Sequence, residues 1–443
     1  MTGLAHSGPV SGAVPLHPPV HRDEEVTPGE IAAGVIIGRA SEYFDFFVFG
    51  IACVLVFPHV FFPFLSTLDG MLAAFAVFAL AFIARPVGTA LGMVIQRRWG
   101  MAPKLTIALF LLGSATVGIA LLPGYDSLGT TAIWWLIGLR IAQGLAVGGS
   151  WEGLPSLLAM SAPKEKRGWY AMIGQLGAPI GFVVAASIFA FIYNQLSIEE
   201  FTTWGWRYPF CVAFAINVVA LFARLRLVAD DTYANMFKNM ELTPSRTFQM
   251  LHSGEAKNVF LGALAALASF ALFHLVTVFP LSWMTLYGDA SVTAILWMQV
   301  LGALIACAAM VLSGWMADRF GRRNTLGAMA VLIGLFSFAA PMLLNGGTAG
   351  QNVFILVGFA LLGLSYGQSS GTVTANFSRR FRYVGAAYSA DLAWLLGAAM
   401  APLVALYLSS HFGPIAVGGY LLSGAVCTLV ALGINRALET ARK

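Results

Sequence analysis

The sequence predicts an all-α membrane protein with twelve transmembrane helices in two six-helix bundles. Three observations carry this. Residues 33–435 form a nearly unbroken series of apolar segments, each about 20 residues long, the length a helix needs to cross a bilayer. The 443-residue chain is 58% hydrophobic and only 10% charged, with a mean hydropathy of +0.79. Its Lys and Arg residues collect in alternate linkers. A soluble domain carries roughly 25% charged residues, so a soluble chain this apolar could not cover its surface. The polar-in alternation of an outer-membrane barrel is absent.

Residues 1–30 contain Pro15, Pro18 and Pro19, a mixed-charge run from Arg22 to Glu25, and His6, His17 and His21. That composition predicts a disordered cytoplasmic tail with no cleavable signal, and the irregular His spacing predicts no metal site. The first bundle, 31–227, is expected to hold helices near 33–57, 70–95, 104–122, 131–159, 167–193 and 206–227. Residues 228–257 are the one long polar connection, with Asp230, Asp231, Lys238, Glu241, Arg246 and Glu255. The second bundle, 258–443, is expected to hold helices near 258–284, 291–316, 324–344, 352–376, 382–408 and 413–435.

The linkers 58–69, 123–130, 194–205, 285–290, 345–351 and 409–412 contain no Lys or Arg. The others hold Arg97, Arg98 and Lys104, then Lys164, Lys166 and Arg167, the 224–257 stretch, Arg319, Arg322 and Arg323, and finally Arg379, Arg380 and Arg382. Positively charged loops stay on the cytoplasmic side, which places both termini and the central loop there, in a bacterial cytoplasmic (inner) membrane. Basic loops facing anionic lipid explain the pI near 9.1 better than nucleic-acid binding does. Cys53, Cys211, Cys307 and Cys427 each fall inside an apolar segment, as buried thiols rather than disulfides or metal ligands.

A weak internal repeat supports the division. Gly92, Gln96, Arg97 and Gly100 after the second helix match Gly314, Asp318, Arg319 and Gly321 after the eighth, with one extra residue in the first copy. Two parallel halves with a site between them at mid-membrane is a transporter layout. The stretch Gly314-Trp315-Met316-Ala317-Asp318-Arg319-Phe320-Gly321-Arg322-Arg323 resembles the cytoplasmic-loop signature of the major facilitator superfamily. The resemblance implies that the loop Asp and Arg residues brace the bundles; Gln96 stands where the first copy should have Asp.

Within that superfamily the chain is similar to the metabolite:proton symporter family. The resemblance rests on Glu42-Tyr43-Phe44-Asp45-Phe46-Phe47, Ala84-Arg85-Pro86-Val87-Gly88, Arg140 with Gln143-Gly144 and Gly148-Gly149, Arg167-Gly168 with Gln175 through Gly181, and Arg382-Tyr383 with Gly385 and Pro402. Ser150, with Glu152 two residues on, stands where the family often has an acid. Membership implies inward carriage of organic acids or zwitterions with protons.

Charges inside a membrane are expensive, about 2.5–3.5 kcal/mol each on insertion scales, and mark function. Helix 1 carries Arg39, Glu42 and Asp45 on one face, helix 2 Arg85, and helix 4 Arg140. At about 1.5 Å per residue, Asp45 lies about 18 Å from the cytoplasmic start of its helix and Arg140 roughly 14 Å from the periplasmic start of its own, so they share a level. Arg85 falls nearer the cytoplasm, level with Glu42 or Arg39. Asp45 is therefore the expected proton carrier with Arg140 as its switchable partner, since a buried carboxyl that loses its cation favours the neutral form; the alternative is a static tie between the two helices. Glu42 either joins the coupling or is a fixed partner for Arg39 or Arg85, and Glu152 is expected in a solvated or gate ion pair.

Candidate substrate contacts are Arg85, Arg140, Tyr43, Gln143, Trp151, Gln175, Gln299, Asp391 and Trp394, with Tyr366, Gln368 and Asn376 as further polar groups. Asp391 either lines the cavity or bonds a neighbouring helix. His274 is expected to be a neutral, hydrogen-bonded core histidine, with a proton relay as the lesser alternative. The gating loops are Asp318, Arg319, Gly321 and Arg322, with Gln96 and Arg97. Gly144 and Gly148 let helices approach closely.

The expected function is proton-coupled uptake of a small organic acid or zwitterion by alternating access. Efflux or facilitated diffusion without proton drive, and a transporter-like sensor, are the alternatives. An enzyme is not expected. Gly367-Gln368-Ser369-Ser370-Gly371 fits a nucleophile-elbow pattern with Asp391 and His411 following, but inside an apolar helix. No Walker-type phosphate loop occurs. The expected partners are substrate, proton and bilayer, with a monomeric chain, no nucleic acid, no cofactor and no metal.

Overall fold

The computed structural model describes residues 28–151, 162–228, 244–370 and 377–441. His6, His17, His21, Glu152, Asp230, Asp231, Lys238, Glu241, Gly371 and Asn376 lie outside the described residues. Those residues that are described form helices and connecting turns, with no strand.

Twelve passes follow in order. They are α1 (Pro28–Leu55), α2 (Thr67–Trp99), α3 (Met101–Leu121), α4 (Thr130–Gly149), α5 (Arg167–Gln195), α6 (Arg207–Val228), α7 (Ala256–Ala265 continuing through Leu267–Tyr287), α8 (Val292–Phe320), α9 (Arg322–Asn345), α10 (Gly347–Tyr366), α11 (Arg382–Phe412) and α12 (Ile415–Ala441). The eleven from α2 to α12 are long and apolar enough to cross a membrane. The first is 28 residues long and carries Arg39, Glu42 and Asp45. An even number of passes brings Pro28 and Ala441 to one face, termed the terminal face; the opposite one is the distal face.

The two halves repeat one packing scheme. α1 packs on α5 and α6, α2 on α4, and α3 on α6; correspondingly α7 packs on α11 and α12, α8 on α10, and α9 on α12. The halves then meet through α5 on α8 and α2 on α11, again an equivalent pair. A Cβ at Gly144 or Gly148 would overlap the main-chain oxygens of Ala81 and Arg85, so the α2–α4 contact exists only because those positions carry no side chain. The repeat also shows at the turns after α2 and α8, where Gly100 and Gly321 adopt φ of +92° and +85°, the left-handed region that favours glycine.

Three helices are interrupted where they line the interface. In α5 a turn at 174–176 precedes Pro179. α7 breaks at Ala266 and Val278; Pro280 has no N–H for the Val276 carbonyl, and the Gln299 side chain of α8 donates to that oxygen at 3.2 Å and to Thr277 O at 3.0 Å. α11 widens into a π turn over Trp394–Ala399, ahead of Pro402.

Candidate functional site

A cavity lies between the bundles. Arg39 and Glu42 of α1, Arg85 of α2, Ser150 and Trp151 after α4, Gln175 of α5, Tyr366, Ser369 and Ser370 at the end of α10, and Trp394 of α11 border it. The space open to the centre of a water is about 60 Å³. Three of its lining residues sit at interruptions: Gln175 in the α5 turn, Ala266 at the first break of α7 and Trp394 at the start of the α11 π turn.

The charges pair differently from the depth estimate. Arg85 meets neither Glu42 nor Arg39. Its Nε stands 2.7 Å from Asp391 Oδ1 of α11, across the interface, and Thr89 donates to Asp391 Oδ2 at 2.6 Å. The N–H points off the line to the oxygen, so charge rather than a directed hydrogen bond holds that pair. Asp391 thus bonds a neighbouring helix instead of lining the cavity. Glu42 is held by Arg39 at 2.9 Å and by Arg224 at 2.8 Å, and Ser150 donates to it at 3.2 Å. Arg224, where the expected helix 206–227 overlaps the basic 224–257 stretch, is 2% exposed within α6.

The expected direct contact of Asp45 with Arg140 is not made. Asp45 Oδ1 accepts from Thr116 at 3.0 Å and Oδ2 accepts from Asn217 at 2.5 Å. Arg140 Nη1 donates to Gln143 Oε1 at 2.9 Å, and Gln143 Nε2 donates to Thr116 Oγ1 at 2.9 Å. The two charges therefore communicate through Gln143 and Thr116, with every donor directed from Arg140 towards Asp45. The guanidinium is enclosed by aromatic rings, with Cζ 4.0 Å from the Phe49 centroid and 4.8 Å from Phe78. Arg140, Asp45 and Gln143 are buried and do not border the cavity. Gln143 is a link in this chain rather than a cavity contact. Thr116 and Asn217 were missed from the sequence; a lone Asn in the apolar run of α6 was the available signal.

The remaining candidates divide. Tyr43 bonds the Tyr366 hydroxyl across the interface, under the Arg39 guanidinium. Trp394 packs on Phe82 at 5.7 Å and 20° and faces Arg85 at 5.8 Å. Trp151 stacks edge-on against Tyr383 at 4.9 Å. Gln299 is spent on the break in α7, away from the cavity, because two carbonyls there lack helical donors. His274 Nδ1 lies 3.3 Å from Thr277 Oγ1 inside a cage of Phe47, Phe78, Phe82, Phe273 and Trp394. The hydrolase-like pattern does not assemble: Asp391 is committed to Arg85, and His411 is exposed and bonds Tyr407 O at 2.8 Å.

Polar contacts tie the bundles at the terminal face. Asp318 accepts from Gly168 N at 2.6 Å and Trp169 N at 3.1 Å, at the positive N-terminal end of the first segment of α5. Arg322 donates to Arg167 O at 2.8 Å and to Gln368 Oε1 at 3.3 Å, while Gln368 donates to Gly168 O at 3.2 Å. The equivalent place in the first copy also crosses the interface. Gln96 Oε1 accepts from Tyr383 OH of α11 and from Lys104, both at 3.0 Å. Arg97 reaches Ser245 O at 3.0 Å. Arg319, expected in the brace, instead lies over the rings of Trp315 and Phe320. At the distal side the contacts are apolar: Phe47 stacks on Phe273 at 5.8 Å, and Gly50 faces Val278.

Comparison with known proteins agrees with this architecture. The family model described as Major Facilitator Superfamily matches residues 127–392. The inner membrane metabolite transport protein YhjE of Escherichia coli K12 is 35% identical over 423 residues, covering 93% of this chain and 95% of its own. The shikimate transporter of E. coli K12 is 29% identical, covering 89% and 91%, and a putative proline/betaine transporter of Staphylococcus aureus is 26% identical, covering 88% and 84%. Among solved structures, a D-xylose-proton symporter superimposes with a TM-score of 0.69 at 20% identity, covering 90% of this chain and 97% of that one, a likeness of fold. The relatives are transporters rather than enzymes, and this multi-pass membrane protein with its two equivalent six-helix halves belongs to the Major Facilitator Superfamily.

Proposed function

We propose that the chain carries a small organic acid or zwitterion inward together with a proton, by alternating access of the central cavity. The observation that carries this reading is the chain of donors from Arg140 through Gln143 and Thr116 to Asp45. Asp45 Oδ1 already accepts the Thr116 hydroxyl, so a proton can settle on that oxygen only if the hydroxyl turns away. Binding of a proton at Asp45 is therefore tied to the arrangement of α3 and α4. Arg85 sits on the cavity wall and also holds Asp391 of the other bundle. A substrate carboxylate that engages Arg85 competes with Asp391 and loosens the terminal face. Substrate and proton then favour the same rearrangement, which is the condition for coupling. The driving term is about 2.3 kcal/mol per charge per 100 mV.

The absence of Lys and Arg from the six distal linkers supports a terminal face in the cytoplasm. The name of the E. coli relative supports the bacterial inner membrane. The carrier is taken to act as a monomer, with the cavity contained in one chain and no part for nucleic acid.

Reconstituted Asp45→Asn tests the proton role. Accumulation of labelled substrate against its gradient should vanish while exchange across the bilayer persists. Undiminished accumulation by that variant would reject Asp45 as the coupling group.

A further inference from the structure

The first loop copy carries Gln96 in place of an aspartate, and a buried cation stands beside it. Lys104 of α3 is 1% exposed. Close helix approaches set its place. A Cβ at Gly92 of α2 would lie 2.7 Å from Gly149 O and 2.9 Å from Gly149 Cα of α4. Gly149 in turn faces Ala108, one turn along α3 from Lys104. The ends of α2, α3 and α4 therefore converge on one ammonium. Among the described residues, Lys104 Nζ donates to Gln96 Oε1 of α2 at 3.0 Å and to Trp151 O, the residue after the C-cap of α4. It also lies 3.4 Å from the Tyr383 hydroxyl of α11, in the other bundle. An ammonium has three protons to offer these three oxygens. Tyr383 passes the bond on, donating to Gln96 Oε1 at 3.0 Å.

The carbonyl that Lys104 holds belongs to a residue of the cavity wall. Trp151 borders the cavity at its terminal end, and its ring meets Tyr383 edge-on at 4.9 Å. That carbonyl lies at the negative end of α4, where a cation is favoured. Asp318 does the reverse in the second loop copy, as an anion on the N–H groups at the positive start of α5. We propose that Lys104 is a positioning residue for transport: its ammonium seats Trp151 against Tyr383 and so shuts the cavity on the terminal side. The cation thereby supplies the charged brace that Gln96 cannot. Without Lys104, Trp151 O and Gln96 Oε1 lose a donor inside the closed interface. Once α2 and α11 part, water replaces that donor, so the penalty falls on the closed arrangement alone.

The test needs no substrate, so its outcome is separate from that of the carrier reading. It uses the full chain in proteoliposomes and a membrane-impermeant maleimide applied to one side at a time. Ser389→Cys reports on the cavity from the terminal side. Val278→Cys, at a buried position against Gly50, reports from the distal side. Each rate is corrected for the native cysteines. In Lys104→Met the terminal reporter should react about tenfold faster or more, and the distal reporter no faster. Lys104→Arg, which keeps a cationic donor, should stay near the unaltered rate. Tyr383→Phe keeps the ring and drops the hydroxyl; it should open the terminal face as well, and adding Lys104→Met should gain less than the product of the two single effects. Faster reaction on both sides would mean that Lys104 only holds the fold together, and overturns the proposal. So does an unchanged terminal rate, a failure of Lys104→Arg to restore closure, or a full product in the double variant. Where Lys104→Met does not assemble, Tyr383→Phe decides alone: an unchanged terminal rate in it sinks the latch.

Discussion

Arg85 and Asp391 meet at 2.7 Å across the interface between the two bundles, both less than 5% exposed. A buried pair gives little net stability, but losing one partner is costly, about 3–5 kcal/mol, because the other charge is left uncompensated. Here that penalty falls on one arrangement only, since parting the bundles lets water reach either charge. Asp391→Asn should therefore shift the population towards a terminal-face-open form instead of unfolding the protein. A cysteine placed at Ser389 should react with a membrane-impermeant thiol reagent from the terminal side at least tenfold faster in Asp391→Asn. An unchanged rate would mean that the pair does not hold this face shut.

The two loop copies make different contacts across the interface. Asp318 takes two main-chain N–H groups as a charged acceptor, each bond of a class contributing about 1.5–3 kcal/mol. Gln96 takes the Tyr383 hydroxyl as a neutral acceptor, a class nearer 0.5–1.5 kcal/mol. Asp318→Asn should open the terminal face more than Gln96→Leu does, read by the same reagent. The reverse order would show that the second-half loop is not the dominant brace.

Much of the fold was legible because a spanning helix is a run of about 20 apolar residues and little else imitates it. The site was legible in depth but not in azimuth. Counting 1.5 Å per residue brought Asp45 and Arg140 to one level, and they do share a network, yet the count says nothing about which way each side chain turns around its helix. Arg85 illustrates the failure: its level matched Glu42, but its face on α2 looks at α11. Arg224 was hidden for a different reason, because an arginine at the end of an apolar run is ordinarily the start of a loop. Thr116 and Gln299 were ambiguous in principle, since an intramembrane hydroxyl or amide serves packing and substrate equally well until its partners are known.

Gln299 gives a clean separation of those roles. It donates to Val276 O and Thr277 O, where Pro280 has removed a helical donor. Gln299→Leu leaves buried carbonyls unmet, at about 1–3 kcal/mol. The expected result is a lower Tm in detergent with KM for transport unchanged. A raised KM without loss of Tm would instead return Gln299 to the substrate.

Thr116 is the link through which Arg140 acts on Asp45, and it can be cut without altering either charge. Thr116→Val keeps the shape of the side chain and removes the bond to Asp45 Oδ1 together with the acceptor for Gln143. A hydrogen bond to a charged group contributes about 1.5–3 kcal/mol, so the coupled step that depends on it should slow by roughly ten- to a hundredfold. Proton release on the inside becomes the slow step. Net uptake should fall by about that factor, whereas exchange, which cycles without releasing the proton, should stay near the unaltered rate. Thr116→Ser, which retains the hydroxyl, should restore net uptake. If Thr116→Val slows exchange and uptake equally, the residue serves helix packing and the link from Arg140 to Asp45 carries no coupling.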